Sequence, residues 1–254
     1  METMSLLGFA ACSPNAELRG ELEFTIADIN REAIPPLLRR RSSQATQMAF
    51  SAAGAVCAQT GRSPAQLPAI FASVAGEIQT TDQLCRELVK ADGVISPSAF
   101  HNSVQNTVAG YWSIASQCRQ AATALAAGHD SFAMALLEAW CQLACHGGEL
   151  LLVCYDESWP AQLDPGSGEP AFACALLLAA STVENAIAAI ERPCRGPATF
   201  PAVWHAKAQQ MPALAALPLL KLIAAGSHKQ MTAISASEAG WQVNVTPLST
   251  TRGA

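Results

Sequence analysis

The stretch AATALAAGHDSFAMALLEA, residues 121–139, decides how the chain is read. Its first half is small and apolar, and Gly128 supplies a turn. The second half is an alanine- and leucine-rich run at helical spacing. The pattern predicts a strand at about 120–126, a tight turn and a helix from about 129 to 145. Many enzymes place a nucleophile on such an elbow. The turn here offers only Leu125, Ala126, Ala127 and Gly128, none of which can attack a carbonyl.

Working outward, MSLLGFAACSP predicts a buried strand closed by Pro14. IPPLLRRRSSQATQMAFSAAGAVCAQTG predicts one helix, entered through Pro35 and Pro36 and ended at Gly61, with Met48, Ala49, Ala52, Ala53, Val56 and Cys57 on its apolar face. PAIFASVAG is a second buried strand. TTDQLCRELVK is a short amphipathic helix with Thr81 or Asp82 as its N-cap. ISPSAFHNSVQNTVAGYWSIAS is mostly helical after Pro97, and Phe100, Val104 and Val108 at intervals of four read as core. GELLLVCYDES and AFACALLLAAS are continuous apolar runs, the pattern of strands covered on both faces. Past residue 182 the signals weaken: VENAIAAIE fits strand or helix, LAALPLLKLIAAG a helix and GWQVNVTP a last strand. Strands alternating with helices predict an α/β layered fold around a central sheet, in one domain spanning 1–254.

Composition narrows the function classes. Half of the 254 residues are apolar and only 14% are charged, which points to a surface covered by a partner. A formal charge of −5 argues against nucleic acid, and the run Arg39-Arg40-Arg41 reads as a solvated face. Nine cysteines without a CxxC pair fit buried free thiols in a reducing cytoplasm. Cys141, Cys145 and His146 form a corner without a second ligand pair, so no metal is expected, nor any cofactor. LLGFAAC lacks the positive start of a signal peptide, and no apolar run is long enough to span a membrane.

Several segments, in order, resemble a ketosynthase of the thiolase-like fold. PPLLRRRSSQATQMAFSAA is similar to that family's early helix, and FASVAGEIQTTDQLCREL to the strand and turn before its next helix. ISPSAFHNSVQNTVAGYWSIAS resembles the stretch before the nucleophile strand. TALAAGHDSFAMALLEA falls where ketosynthases carry Thr-Ala-Cys-Ala-Thr-Gly, and GELLLVCYDE where the following strand lies. The likeness covers roughly residues 5–180, most specifically 95–157. It implies a truncated thiolase-like α/β/α fold with a central mixed sheet: an N-terminal half at 1–180 and a shortened, divergent part at 181–254.

On that motif this chain reads Thr123-Ala124-Leu125-Ala126-Ala127-Gly128, so Leu125 stands where the family has its nucleophilic cysteine. A ketosynthase needs a thiolate at a helix N-terminus, where the dipole lowers its pKa. The family's two catalytic histidines, in His-Gly-Thr and Asn-Ser-Phe-Gly settings, have no counterpart at His146, His205 or His228. The resemblance therefore implies a catalytically silent chain length factor of the aryl polyene type. Such a subunit pairs with a full-length ketosynthase, whose substrates ride on an acyl carrier protein. Phe100, His101, Val104, Trp112, Thr123, Leu125 and His129 are the interface or tunnel candidates. Asp130 and Ser131 are expected to cap the helix that follows. Two other readings stand beside this one: an acyl hydrolase or transferase using Ser131 or a cysteine, and a homodimeric acyl-binding module.

Overall fold

The computed structural model describes residues 1–163, 168–180, 183–226, 228–238 and 240–248. Its first elements are β1 (Thr3–Cys12), α1 (Ala16–Gly20), β2 (Ile26–Ala27), α2 (Pro36–Arg39), α3 (Gln44–Thr60) and β3 (Ala69–Ala72). Next come α4 (Ile78–Leu88), α5 (Pro97–Asn102), α6 (Thr107–Ser116), β4 (Ala122–Leu125), α7 (Ser131–His146), β5 (Glu149–Asp156) and β6 (Phe172–Ala179). The chain continues through β7 (Ala188–Glu191), β8 (Cys194–Arg195), α8 (Ala202–Gln210), α9 (Leu217–Ala225), β9 (Gln230–Ala233) and β10 (Trp241–Pro247).

One mixed sheet runs β4-β3-β5-β6-β1-β7-β10-β8, with β2 paired to β1 and β9 to β10. The β3–β4 and β3–β5 pairs are parallel, whereas β5–β6 and β6–β1 are antiparallel. The two apolar runs expected as central strands are β5 and β6, and period two divides each between two cores. Leu150, Leu152 and Cys154 face the layer that holds α7 and α9; Leu151, Val153 and Tyr155 face α3 and α6. On β6 the α7 side carries Phe172, Cys174, Leu176 and Leu178, and the α3 side is mostly alanine. Small residues there let α3 lie close to the sheet. At Gly8 of β1 an added Cβ would stand 2.7 Å from Thr60 Cγ2. The result is the three-layer α/β/α arrangement that the alternating pattern predicts.

Two helix boundaries differ from expectation. The helix read as continuous from Pro35 to Gly61 is broken at 40–43, because Ser43 takes extended backbone and accepts from Thr46 N at 3.2 Å, opening α3 afresh. Gly61 closes α3 as expected, in the left-handed region at φ +67°. Helix α4 starts at Ile78, ahead of Thr81 and Asp82, which therefore sit inside it. Its first-turn amide at Gln79 is satisfied from afar, by Glu157 at 2.9 Å, so no local cap residue is needed. Of the late segments, VENAIAAIE ends in β7, the 217–226 stretch is α9 closed by Gly226, and GWQVNVTP is β10. Both β7 and β10 join the same sheet as the earlier strands.

Candidate functional site

The elbow is built at the edge of the sheet. β4 pairs with β3 alone among the described residues, and the carbonyls of Ala121 and Leu125 accept from Ala69 N (3.0 Å) and Ser73 N (3.1 Å). Alternation along a parallel strand then turns the backbone N–H and C=O of Ala122 and Ala124 to the open side. The side chains of Thr123 and Leu125 face α7. Thr123 Oγ1 accepts from Gln142 Nε2 at 3.1 Å, and Leu125 is half-buried against the core of that layer. Gly128 makes the turn at φ +58°, where a side chain would be strained, and a short 3₁₀ turn at Gly128–Asp130 leads into α7.

The polar residues of the turn are committed to structure. Ser131 is fully buried; its hydroxyl donates to Gly128 O (2.7 Å) and accepts from Ala127 N (3.1 Å). It therefore closes the turn before α7 instead of capping the helix, and it has no free path to a substrate. Asp130 makes no capping bond to α7. Its carboxylate instead accepts from the hydroxyls of Ser235 and Ser237, the latter at 2.6 Å, which fastens the loop after β9 to the elbow. The expected cap is corrected to a long-range tether, because hydroxyl donors from the C-terminal part reach the carboxylate. His129 is exposed and lines a cleft of about 270 Å³ with Val74, Trp159, Leu163, Gln209 and Pro212.

Behind this cleft lie buried acids that sequence reasoning did not single out. Asp156, at the end of β5, accepts from Ser73 Oγ, Val74 N and Ala213 N, each at 2.8 Å. It thus joins the β3–α4 loop to the 3₁₀ segment Pro212–Ala216. Glu157 holds Gln79 N and the Ala45 amide, and Glu77 accepts from Thr46 and, at 3.3 Å, from Thr80. Burial raises all three carboxyls, Asp156 to about 6 and Glu157 to about 7; their hydrogen bonds partly offset this. A carboxyl raised on folding stabilises most below its unfolded pKa, near 4, and that contribution is lost as pH climbs through its folded value. Chemical denaturation between pH 5 and 7.5 is expected to show these groups costing on the order of 3 kcal/mol as pH rises. Glu157→Gln should flatten the dependence, and stability rising across the window would contradict it.

The remaining candidates separate in space. Phe100 (61% exposed) and Val104 (42%) lie on the surface; of the three read as core, Val108 alone is buried. Their segment breaks between α5 and α6, so the spacing of four does not follow one helix face. His101 is exposed, its ring 5.9 Å from that of Tyr111. Trp112 is core: it meets Phe50 edge-on at 5.2 Å and Phe71 at 6.2 Å. Cys118 is half-buried against Leu67 O, and Cys141 and Cys145 are exposed near the end of α7. Desolvation, aided by Glu138, raises the Cys141 thiol, the opposite of nucleophile activation. Among the described residues no three His, Cys, Asp or Glu side chains could hold a metal ion, and no helix is long and apolar enough to cross a membrane.

A mixed sheet between helical layers, with a strand–turn–helix elbow at its edge, is the thiolase-like architecture of ketosynthases. The family model described as beta-ketoacyl synthase, N-terminal domain, matches residues 15–242, and the chain belongs to that family. No curated protein matches it. Among solved structures, one similar chain comes from a ketosynthase (ApeO) in complex with its chain length factor (ApeC) from Xenorhabdus doucetiae. Identity is 21%, coverage is 97% of this chain and 100% of that one, and the TM-score is 0.68. The ishigamide ketosynthase/chain length factor matches at 15% identity over 97% and 99% of the two chains, with a TM-score of 0.67. The complex AntDE:AntF, a type II PKS acyl-carrier protein with its ketosynthase bound to the hexaketide, matches at 10% identity over 97% and 99%, with a TM-score of 0.72. At these identities the likeness establishes the fold.

Proposed function

We propose that this chain is a catalytically silent chain length factor that completes a heterodimer with a full-length beta-ketoacyl synthase and shapes its acyl tunnel, in biosynthesis of the aryl polyene type. The observation that carries the reading is the elbow itself, an intact strand, turn and helix whose turn holds no nucleophile; Leu125 is assigned to the place of the family's cysteine on the strength of the sequence resemblance. A leucine has no lone pair with which to take an acyl group from a thioester. In this reading the partner's thiolate accepts the acyl chain from the carrier protein and releases the carrier thiol. Decarboxylation of the extender unit then supplies the carbanion that displaces that thiolate.

The contribution of this chain is geometric. The open edge of β4 offers backbone groups at Ala122 and Ala124 to a partner strand. Thr123, Leu125 and His129 are assigned to the tunnel or seam, with Phe100, His101 and Val104 as surface contacts; Trp112 packs inside against Phe50 and Phe71 and meets no partner directly. The full burial of Ser131 weighs against the acyl hydrolase reading. Nine free thiols support placing the assembly in the cytoplasm. Co-expression with a complete ketosynthase tests the proposal, since a 1:1 complex is expected. A homodimer that ignores the ketosynthase would instead favour an acyl-binding module.

A further inference from the structure

A polar cleft of about 330 Å³ lies where the α2–α3 corner, α4 and α5 meet, on residues that the elbow does not use. Its walls carry the guanidinium-bearing Arg40 and Arg41, with Thr80 and Gln83 from α4 and Ser96 and Ser98 at the start of α5. The chain has 20 acidic residues against 15 basic ones, yet neither arginine makes an ion pair among the described residues. Their neighbour Arg39 behaves differently: it pairs with Glu32 at 3.1 Å and donates to Ile34 O. The run Arg39-Arg40-Arg41 is therefore not one uniform solvated face. One member is spent on the local fold, and two are left over beside a concavity.

We infer that this cleft binds the dianionic phosphate of a small phosphomonoester. Two fixed positive charges match a dianion, and guanidinium groups bind phosphate oxygens in pairs of parallel hydrogen bonds. Gln83 and the Ser98 hydroxyl add neutral donors at the same rim. The Arg41 position is set by the fold: its carbonyl accepts from Asn102 Nδ2 at 2.6 Å, and Asn102 Oδ1 in turn accepts from the Tyr111 hydroxyl. Glu77 is the carboxylate behind the wall. It is buried and turned onto Thr46 and Thr80, and burial favours its neutral form.

The test is isothermal titration of the full chain with inorganic phosphate at pH 8 and constant ionic strength. Calorimetry is preferred because phosphate raises thermal midpoints of many proteins without binding a site. Saturable 1:1 binding is expected, weaker by about tenfold in each of Arg40→Gln and Arg41→Gln and absent from the double variant. Both side chains are at the surface, so the variants should keep the wild-type circular dichroism and thermal midpoint in chloride. Dimethyl phosphate, a monoanion of similar shape, should bind several-fold more weakly. Uptake that does not saturate, binding undiminished in the double variant, or equal affinity for dimethyl phosphate would each overturn the assignment.

Discussion

Replacing Ala124 with proline is expected to leave the isolated chain folded while weakening its association with a ketosynthase by about 10- to 100-fold. Bonds from Ala69 N and Ser73 N to the carbonyls of Ala121 and Leu125 fix which residues of β4 look toward β3. Ala124 looks the other way, so its N–H serves no bond within the sheet. Proline removes that N–H and fills the space beside it, which an edge strand tolerates in isolation. A partner strand, by contrast, loses one hydrogen bond, worth about 1 kcal/mol, and meets the ring. Leu125→Pro is the contrasting variant, because the Leu125 backbone belongs to the β3 ladder and its change should damage the fold. Sedimentation of each variant with the ketosynthase distinguishes the two, and Ala124→Pro binding as tightly as wild type would contradict the edge-pairing account.

The second large effect is expected at Asp156. Alanine there strands the amides of Val74 and Ala213, each of which now donates to the carboxylate at 2.8 Å. An unsatisfied buried donor costs about 1–3 kcal/mol. Some of that is returned, because the carboxylate itself is buried at a cost, as its raised pKa records. A net loss on the order of 3 kcal/mol is expected in urea denaturation. Hydrogen exchange at Ala213 should accelerate, because Asp156 ties the Pro212–Ala216 segment to the end of β3. A variant as stable as wild type, with Ala213 still protected, would show that the packing of that segment holds it without the carboxylate.

How much of this was legible in the sequence depended on the range of the interaction. β1, β5 and β6 announce themselves because burial on both faces demands unbroken apolar runs. The elbow announces itself because a glycine with positive φ must separate strand from helix. α8 gives almost no periodic signal, since it buries only Trp204 and Ala208, and β9 is four residues long with only Ala233 buried. The acid network was hidden for a different reason. Asp156 and Ser73 are 83 positions apart, and Glu77 and Thr46 are 31, so neither pair makes a local pattern. Asp130 illustrates the same limit: a carboxylate at the start of a helix reads as a cap, but the serines that claim it lie more than 100 residues downstream. Leu125 was legible as a residue and as a place, while the exposure of Phe100 and Val104 required knowing that their helix breaks.

Native mass spectrometry of the chain co-expressed with a full-length ketosynthase decides whether the two subunits share one active assembly. A 1:1 heterodimer that persists through purification is expected, with acyl transfer from carrier-protein thioesters labelling the ketosynthase subunit alone. A chain that stays monomeric or self-paired beside the ketosynthase, or that carries the acyl label itself, would contradict the proposed function.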